Sequence, residues 1–101
     1  METMIKTFKN SGTEDIYNGL SSRLALKICS NSLWSVARRK LDQISHVKDA
    51  QELRIPPGNR FESLRGNRSG QYSIRVNDQY RICFRWEGID AYDVEITDYH
   101  K

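Results

Sequence analysis

The chain has 101 residues, 38% hydrophobic and 29% charged, with a formal net charge of +3. That length fits one domain, expected over residues 1–101, whose modest core removes roughly two thirds of the unfolded surface from water. No apolar run approaches the ~20 residues of a membrane span. Residues 1–6 do not read as a secretory leader, so the expectation is a cytoplasmic protein without a membrane partner. Cys29 and Cys83 lack metal-ligand spacing and are expected to be reduced thiols.

Residues 5–8 alternate apolar and polar, which predicts a short strand, placed at a sheet edge. Ser11 and Glu14 have capping-box spacing, so a short helix carrying Ile16, Tyr17 and Leu20 is expected to follow and to end near Gly19. Ser21 or Ser22 then caps a longer helix to about Ile44. Its apolar stripe is Leu24, Ile28, Leu33, Val36, Ala37, Leu41 and Ile44. Ser30-Asn31-Ser32 weakens its middle, because those side chains compete for backbone hydrogen bonds. One further turn is expected over residues 48–53, and Pro56-Pro57-Gly58 ends helical structure.

The second half reads as strands. Residues 61–64 form a short one and residues 66–70 a turn. Residues 71–76 alternate, with Tyr72, Ile74 and Val76 on one face and Gln71, Ser73 and Arg75 on the other. After Asn77-Asp78, residues 79–86 place Tyr80, Ile82, Phe84 and Trp86 opposite Arg81, Cys83 and Arg85. After Glu87-Gly88, residues 91–97 place Tyr92, Val94 and Ile96 opposite Asp93, Glu95 and Thr97. Three such strands make an antiparallel meander whose apolar face the helices cover. The predicted class is α+β: two N-terminal helices on one face of a small, mainly antiparallel sheet.

The other face is rich in guanidinium groups. Residues 54–85 hold seven arginines (Arg54, Arg60, Arg65, Arg68, Arg75, Arg81 and Arg85) against Glu62 and Asp78, with no lysine, a surplus of five positive charges. Arginine's donor fork matches phosphate oxygens, and its charge does not titrate near neutrality. Two readings follow. The first is a solvated face on which Arg85 pairs with Asp93 or Glu95. The second is a phosphate-binding hollow in which Arg65 and Arg81 hold an RNA backbone. Surface ion pairs contribute under ~1 kcal/mol, so stability is a weak reason to gather arginine there. Exposed aromatics among Tyr72, Tyr80, Trp86, Tyr92 and Tyr99 would stack unpaired bases, although the alternation buries most of them.

The C-terminal Asp98-Tyr99-His100-Lys101 gathers a carboxylate, a phenol, an imidazole and an ammonium after the last strand. Taken alone it reads as a frayed tail or as an acid–base cluster. His46 reads as a cation at a helix end. Cys83 faces arginines, which favour a lowered thiol pKa, but a catalytic thiol needs a nearby base and none is evident, so the thiol is not taken as catalytic.

Four blocks then carry a resemblance: Pro56-Pro57-Gly58-Asn59-Arg60, Leu64-Arg65-Gly66-Asn67-Arg68, the run GQYSIRVNDQYRICF over residues 70–84, and Asp98-Tyr99-His100. In this order they resemble the HigB branch of the RelE/ParE toxin superfamily, and within it the GraT-like members. Met4-Ile5-Lys6-Thr7-Phe8 is similar to the family's start, which leaves residues 1–3 as an expected short extension.

The resemblance implies the toxin of a type II toxin–antitoxin pair, an mRNA endoribonuclease acting in the ribosomal A site without metal or cofactor. It implies a HigA-like helix-turn-helix antitoxin as partner, and contact with operator DNA only through that complex. Carried over by position, Arg65 stands at a basic residue of the family's Leu-Lys-Gly stretch, Arg81 at its Arg-Ile-x-Phe arginine, and Asp98, Tyr99 and His100 at its terminal triplet. Many HigB toxins have a histidine where this chain has Glu62, and a proline where it has Ser63, so Glu62 or His100 is expected to move the proton. Arg60, Arg68, Arg75 and Arg85 complete the expected RNA-binding surface. Two other readings stay open at this level: a non-catalytic inhibitor of the ParE, gyrase-poisoning kind, and an inert nucleic-acid-binding domain. Loss of residues 98–101 disables a nuclease and spares a gyrase binder.

Overall fold

The computed structural model describes residues 5–99. Three α-helices, α1 (Ser11–Tyr17), α2 (Arg23–Ile28) and α3 (Trp34–His46), precede four strands, β1 (Glu62–Ser63), β2 (Gln71–Arg75), β3 (Tyr80–Glu87) and β4 (Asp90–Asp98). The strands pair antiparallel in the order β1-β2-β3-β4. Residues 5–9 lie along β4 and run parallel to it, through bridges from Ile5 to Ala91 and from Phe8 to Val94. The α+β class is observed, and residues 5–9 lie at the sheet edge as expected, but they join it through isolated bridges rather than as the strand the alternation predicts.

The helices differ from expectation in number. The long helix expected to about Ile44 is two helices, because Cys29 is extended and the Ser30 hydroxyl takes the Ser32 amide. That side chain wins the backbone donor a continuous helix would have used. Ser22 caps α2 by accepting from the Ala25 amide at 3.0 Å. The break also changes the register: Ala25 faces the core, while Leu24 is 48% exposed. In α3 the expected stripe holds, with Ala37, Leu41 and Ile44 fully buried. The first helix is capped one residue earlier than expected, by Asn10, whose side chain accepts from the Thr13 amide at 2.8 Å.

The core lies between the helices and the apolar sheet face, built from Ile16, Leu41, Ile44, Ile74, Ile82, Phe84 and Val94. The buried Thr13 hydroxyl accepts from the Ile96 amide at 3.1 Å, tying α1 to β4. Helices α1 and α2 meet at Gly12. A β-carbon there would lie 2.4 Å from Ile28 Cγ1 and 2.5 Å from the Leu24 carbonyl oxygen, so the contact depends on glycine. Gly12→Ala is expected to cost about 1–3 kcal/mol by overpacking, read from denaturant unfolding.

The stretch joining α3 to β1 is anchored by Asn59. This fully buried side chain donates to Gln43 Oε1 at 3.1 Å and to the Leu53 carbonyl at 3.1 Å, and its own oxygen accepts from Lys40 Nζ. Burial, with the charges of Arg39 and Arg75 nearby, lowers the Lys40 pKa. The next residue, Arg60, lies in the left-handed region at φ 46°, with its amide donating to the Pro57 carbonyl.

Candidate functional site

Strand register lays the polar sheet face out in three rows. Glu62, Ser73, Cys83 and Glu95 form a row across all four strands. Gln71, Arg85 and Tyr92 flank it on one side, and Arg75, Arg81 and Thr97 on the other. The middle of this face is not solvated as an outer face would be. Ser73 and Cys83 are fully buried and Arg81 is only 8% exposed.

Arg81 is held from several directions. Its Nε donates to the Ser73 hydroxyl at 2.8 Å, and its Nη2 donates to the Ser73 carbonyl at 3.3 Å and to the Arg60 carbonyl. The left-handed Arg60 backbone belongs to the segment that delivers that carbonyl. Glu62 Oε1 stands 3.4 Å from Nη2, and the guanidinium lies over the Tyr99 ring at 5.5 Å. These contacts compensate the desolvation of a buried cation. The structure thus brings Arg81, Glu62 and Tyr99 together.

Arg68 lies in a 3₁₀ turn, Gly66–Arg68, and pairs with Glu95 at 3.1 Å; Lys9 reaches the same carboxylate at 3.5 Å. Its hydrogen bond to Glu95 raises the Arg68 pKa further. Arg85 is paired, as the solvated-face reading expects, to Asp93 at 2.9 Å and also to Glu87. Arg75 is paired to Asp78. Arg65 and Arg60 are exposed, and neither side chain has a hydrogen bond or ion pair among the described residues. Arg65 precedes the turn that carries Arg68 and has no hydrogen bond or ion pair to the Arg81 group among the described residues.

Alternation misplaced Tyr92. Between Cys83 and Arg85 the β3–β4 register slips by one residue, with Asp93 in the left-handed region at φ 53°. This bulge turns Tyr92 onto the arginine face, where its ring lies 5.3 Å from the Arg85 guanidinium. Tyr72 instead stacks on Phe61, and Tyr72, Tyr80 and Trp86 pack against the core.

The tail is ordered as far as it is described. Asp98 closes β4 and accepts from Gln79 Nε2 at 2.9 Å, and the Tyr99 amide donates to the Gln79 carbonyl at 2.8 Å. His100 lies outside the described residues. Cys83 departs from expectation. Burial raises its thiol pKa despite the lowering effect of Arg68 and Arg81, so a reactive thiolate is not held there. His46 ends α3, with Nδ1 2.7 Å from the Asp42 carbonyl, in the helix-end position its sequence context indicated. A separate cleft of about 460 Å³, lined by Tyr17, Ser35, Arg38, Arg39 and Asp42, includes none of the residues of the polar sheet face.

Sequence reading passed over Ser73 and the Arg60 carbonyl. Alternation had placed Ser73 on the arginine face, which was the available signal. A carbonyl contact that depends on a left-handed backbone leaves no pattern of residue types.

The family model described as RelE-like toxin of type II toxin–antitoxin system HigB matches residues 6–100. The chain is similar to Toxin HigB-1 of Vibrio cholerae serotype O1, 43% identical over 84 residues, which cover 82% of this chain and 84% of that protein. It is also similar to Endoribonuclease HigB of Proteus vulgaris, 28% identical over 104 residues, covering 96% of this chain and all of that protein (100%). With its α+β fold and the family match over nearly its whole length, the chain belongs to the HigB-like toxins, RelE-like toxins of type II toxin–antitoxin systems, and so has an antitoxin as its partner.

Proposed function

We propose that the chain blocks translation as an endoribonuclease that cuts mRNA in the ribosomal A site, in the cytoplasm. A HigA-like helix-turn-helix antitoxin restrains it, and that complex alone carries it to operator DNA. Beyond family membership, one observation carries the reading: a buried arginine, pre-held on the sheet beside a carboxylate and a phenol. A guanidinium fixed in place and sheltered from bulk water is a strong donor to growing phosphate charge.

The cleavage needs no metal in this scheme. The mRNA's own 2′-oxygen bonds to the adjacent phosphorus as its proton leaves. The bond from phosphorus to the 5′-oxygen then breaks, and that oxygen takes up a proton, giving a 2′,3′-cyclic phosphate and a 5′-hydroxyl. Arg81 and Arg65 stabilise the non-bridging oxygens. Glu62, beside Arg81, or His100 takes or gives the proton, a role worth about 10²–10⁴-fold. Asp98 orients His100, and Tyr99 stacks a base or seats the phosphate. Bound mRNA geometry supplied by the ribosome adds the positioning that a small open site lacks.

The direct test is primer-extension mapping of transcripts after induction in a bacterium. New 5′ ends inside codons are expected, and growth arrest with intact transcripts would overturn the nuclease reading. Arg60, Arg68, Arg75 and Arg85 hold flanking phosphates in this reading. Arg60→Gln retains the backbone carbonyl that Arg81 needs and removes one exposed cation. The slope of log affinity against log salt for single-stranded RNA is therefore expected to fall by about 0.7.

A further inference from the structure

Ser73 lies at the centre of the polar face and is fully buried. It offers Arg81 two acceptors, the hydroxyl to Nε at 2.8 Å and the carbonyl to Nη2 at 3.3 Å. The Arg60 carbonyl and Glu62 also meet Nη2. Together they occupy the Nε–Nη2 edge of the guanidinium. Nη1 makes no hydrogen bond among the described residues.

A planar guanidinium has five N–H donors in a rigid fork. Held along one edge, it cannot swing about its Cδ–Nε bond without breaking those bonds. The direction of Nη1 is therefore set before RNA arrives. We propose that Ser73 is a positioning residue for the cleavage: it holds one edge of Arg81 so that Nη1 alone donates to the non-bridging oxygen on which charge grows. The inference rests on the reading of Arg81 as the phosphate-binding arginine. It adds that Arg81 does not grip the phosphate with its Nε–Nη2 fork, so the second oxygen needs another cation. Arg65, whose side chain is unengaged among the described residues, fills that need.

The test compares Ser73→Ala, Arg81→Lys and the double variant, each freed of antitoxin, cutting mRNA on programmed ribosomes in single turnover. Misplacing a catalytic group by about 1 Å can cost ~10²-fold, so Ser73→Ala is expected to lower the maximal rate about 10–100-fold. The half-saturating ribosome concentration should stay unchanged, because ground-state contacts are untouched. Lysine has no Nε–H for Ser73 to hold, so Ser73→Ala should cause no further loss in the Arg81→Lys background.

A full rate for Ser73→Ala, or losses that multiply in the double variant, overturns the proposal. A full rate for Arg81→Lys overturns the underlying reading of Arg81 as well. Wild-type protein supplies a measurement that does not depend on any variant folding. The Arg81 Nε–H should exchange slowly with water by NMR, and fast exchange would show that Ser73 does not hold it.

Discussion

Arg81→Ala is expected to suppress cleavage and growth arrest while the protein still binds its antitoxin. Loss of one pre-aimed donor to a developing oxyanion costs about 3–4 kcal/mol of transition-state stabilisation, roughly 10²–10³-fold in rate. Arg81 also has a structural share, since its guanidinium serves the Ser73 hydroxyl and the carbonyls of Ser73 and Arg60. Truncation leaves those acceptors short of a partner, and an unsatisfied buried polar group costs about 1–3 kcal/mol. The two effects separate experimentally. The rate is measured on ribosome-bound mRNA and the stability by denaturant melting, and the rate loss should persist at temperatures where the variant remains folded. A folded Arg81→Ala protein that cuts at the normal rate would remove this residue from the chemistry.

Asn59→Ala is expected to produce the largest loss of stability. Its side chain is fully buried and engages Lys40, Gln43 and the Leu53 carbonyl, so alanine strips partners from two chain segments at once. We expect about 2–3 kcal/mol, with the melting temperature falling by roughly 4–8 °C per kcal/mol for a domain of this size. A functional loss should follow. Asn59 directly precedes Arg60 in the chain, and the Arg60 carbonyl holds Arg81. Cleavage measured well below the melting point should still be slower than wild type. A thermally weakened variant with a normal rate would separate the anchor from the site.

Most of the sheet was legible because period-2 alternation reports directly on a half-buried strand. It failed at Asp93, where one residue in a left-handed conformation shifts the register and turns Tyr92 over. The helical half was less legible. A single apolar stripe fits two short helices almost as well as one long helix, and three hydroxyl and amide side chains at Ser30-Asn31-Ser32 decided between them. The charge surplus over residues 54–85 was real in sequence but smaller in space. Asp93 and Glu95 lie outside that window and are brought onto Arg85 and Arg68 by β4 pairing, while Glu87, two residues further along β3, also reaches Arg85. What distinguishes Arg81 from the other arginines is burial, which a residue count does not register. The thiol of Cys83 was misjudged for the same reason: its cationic neighbours were visible in the pattern and its desolvation was not.

The sheet leaves little open ladder at either border. On one side the outermost strand is two residues long. On the other, backbone groups of β4 are taken up by residues 5–9 and by the Thr13 hydroxyl. Long unpaired strand borders are templates for association between copies of a protein. Short and covered borders of this kind leave a toxin parted from its antitoxin few places where a second copy could add a strand.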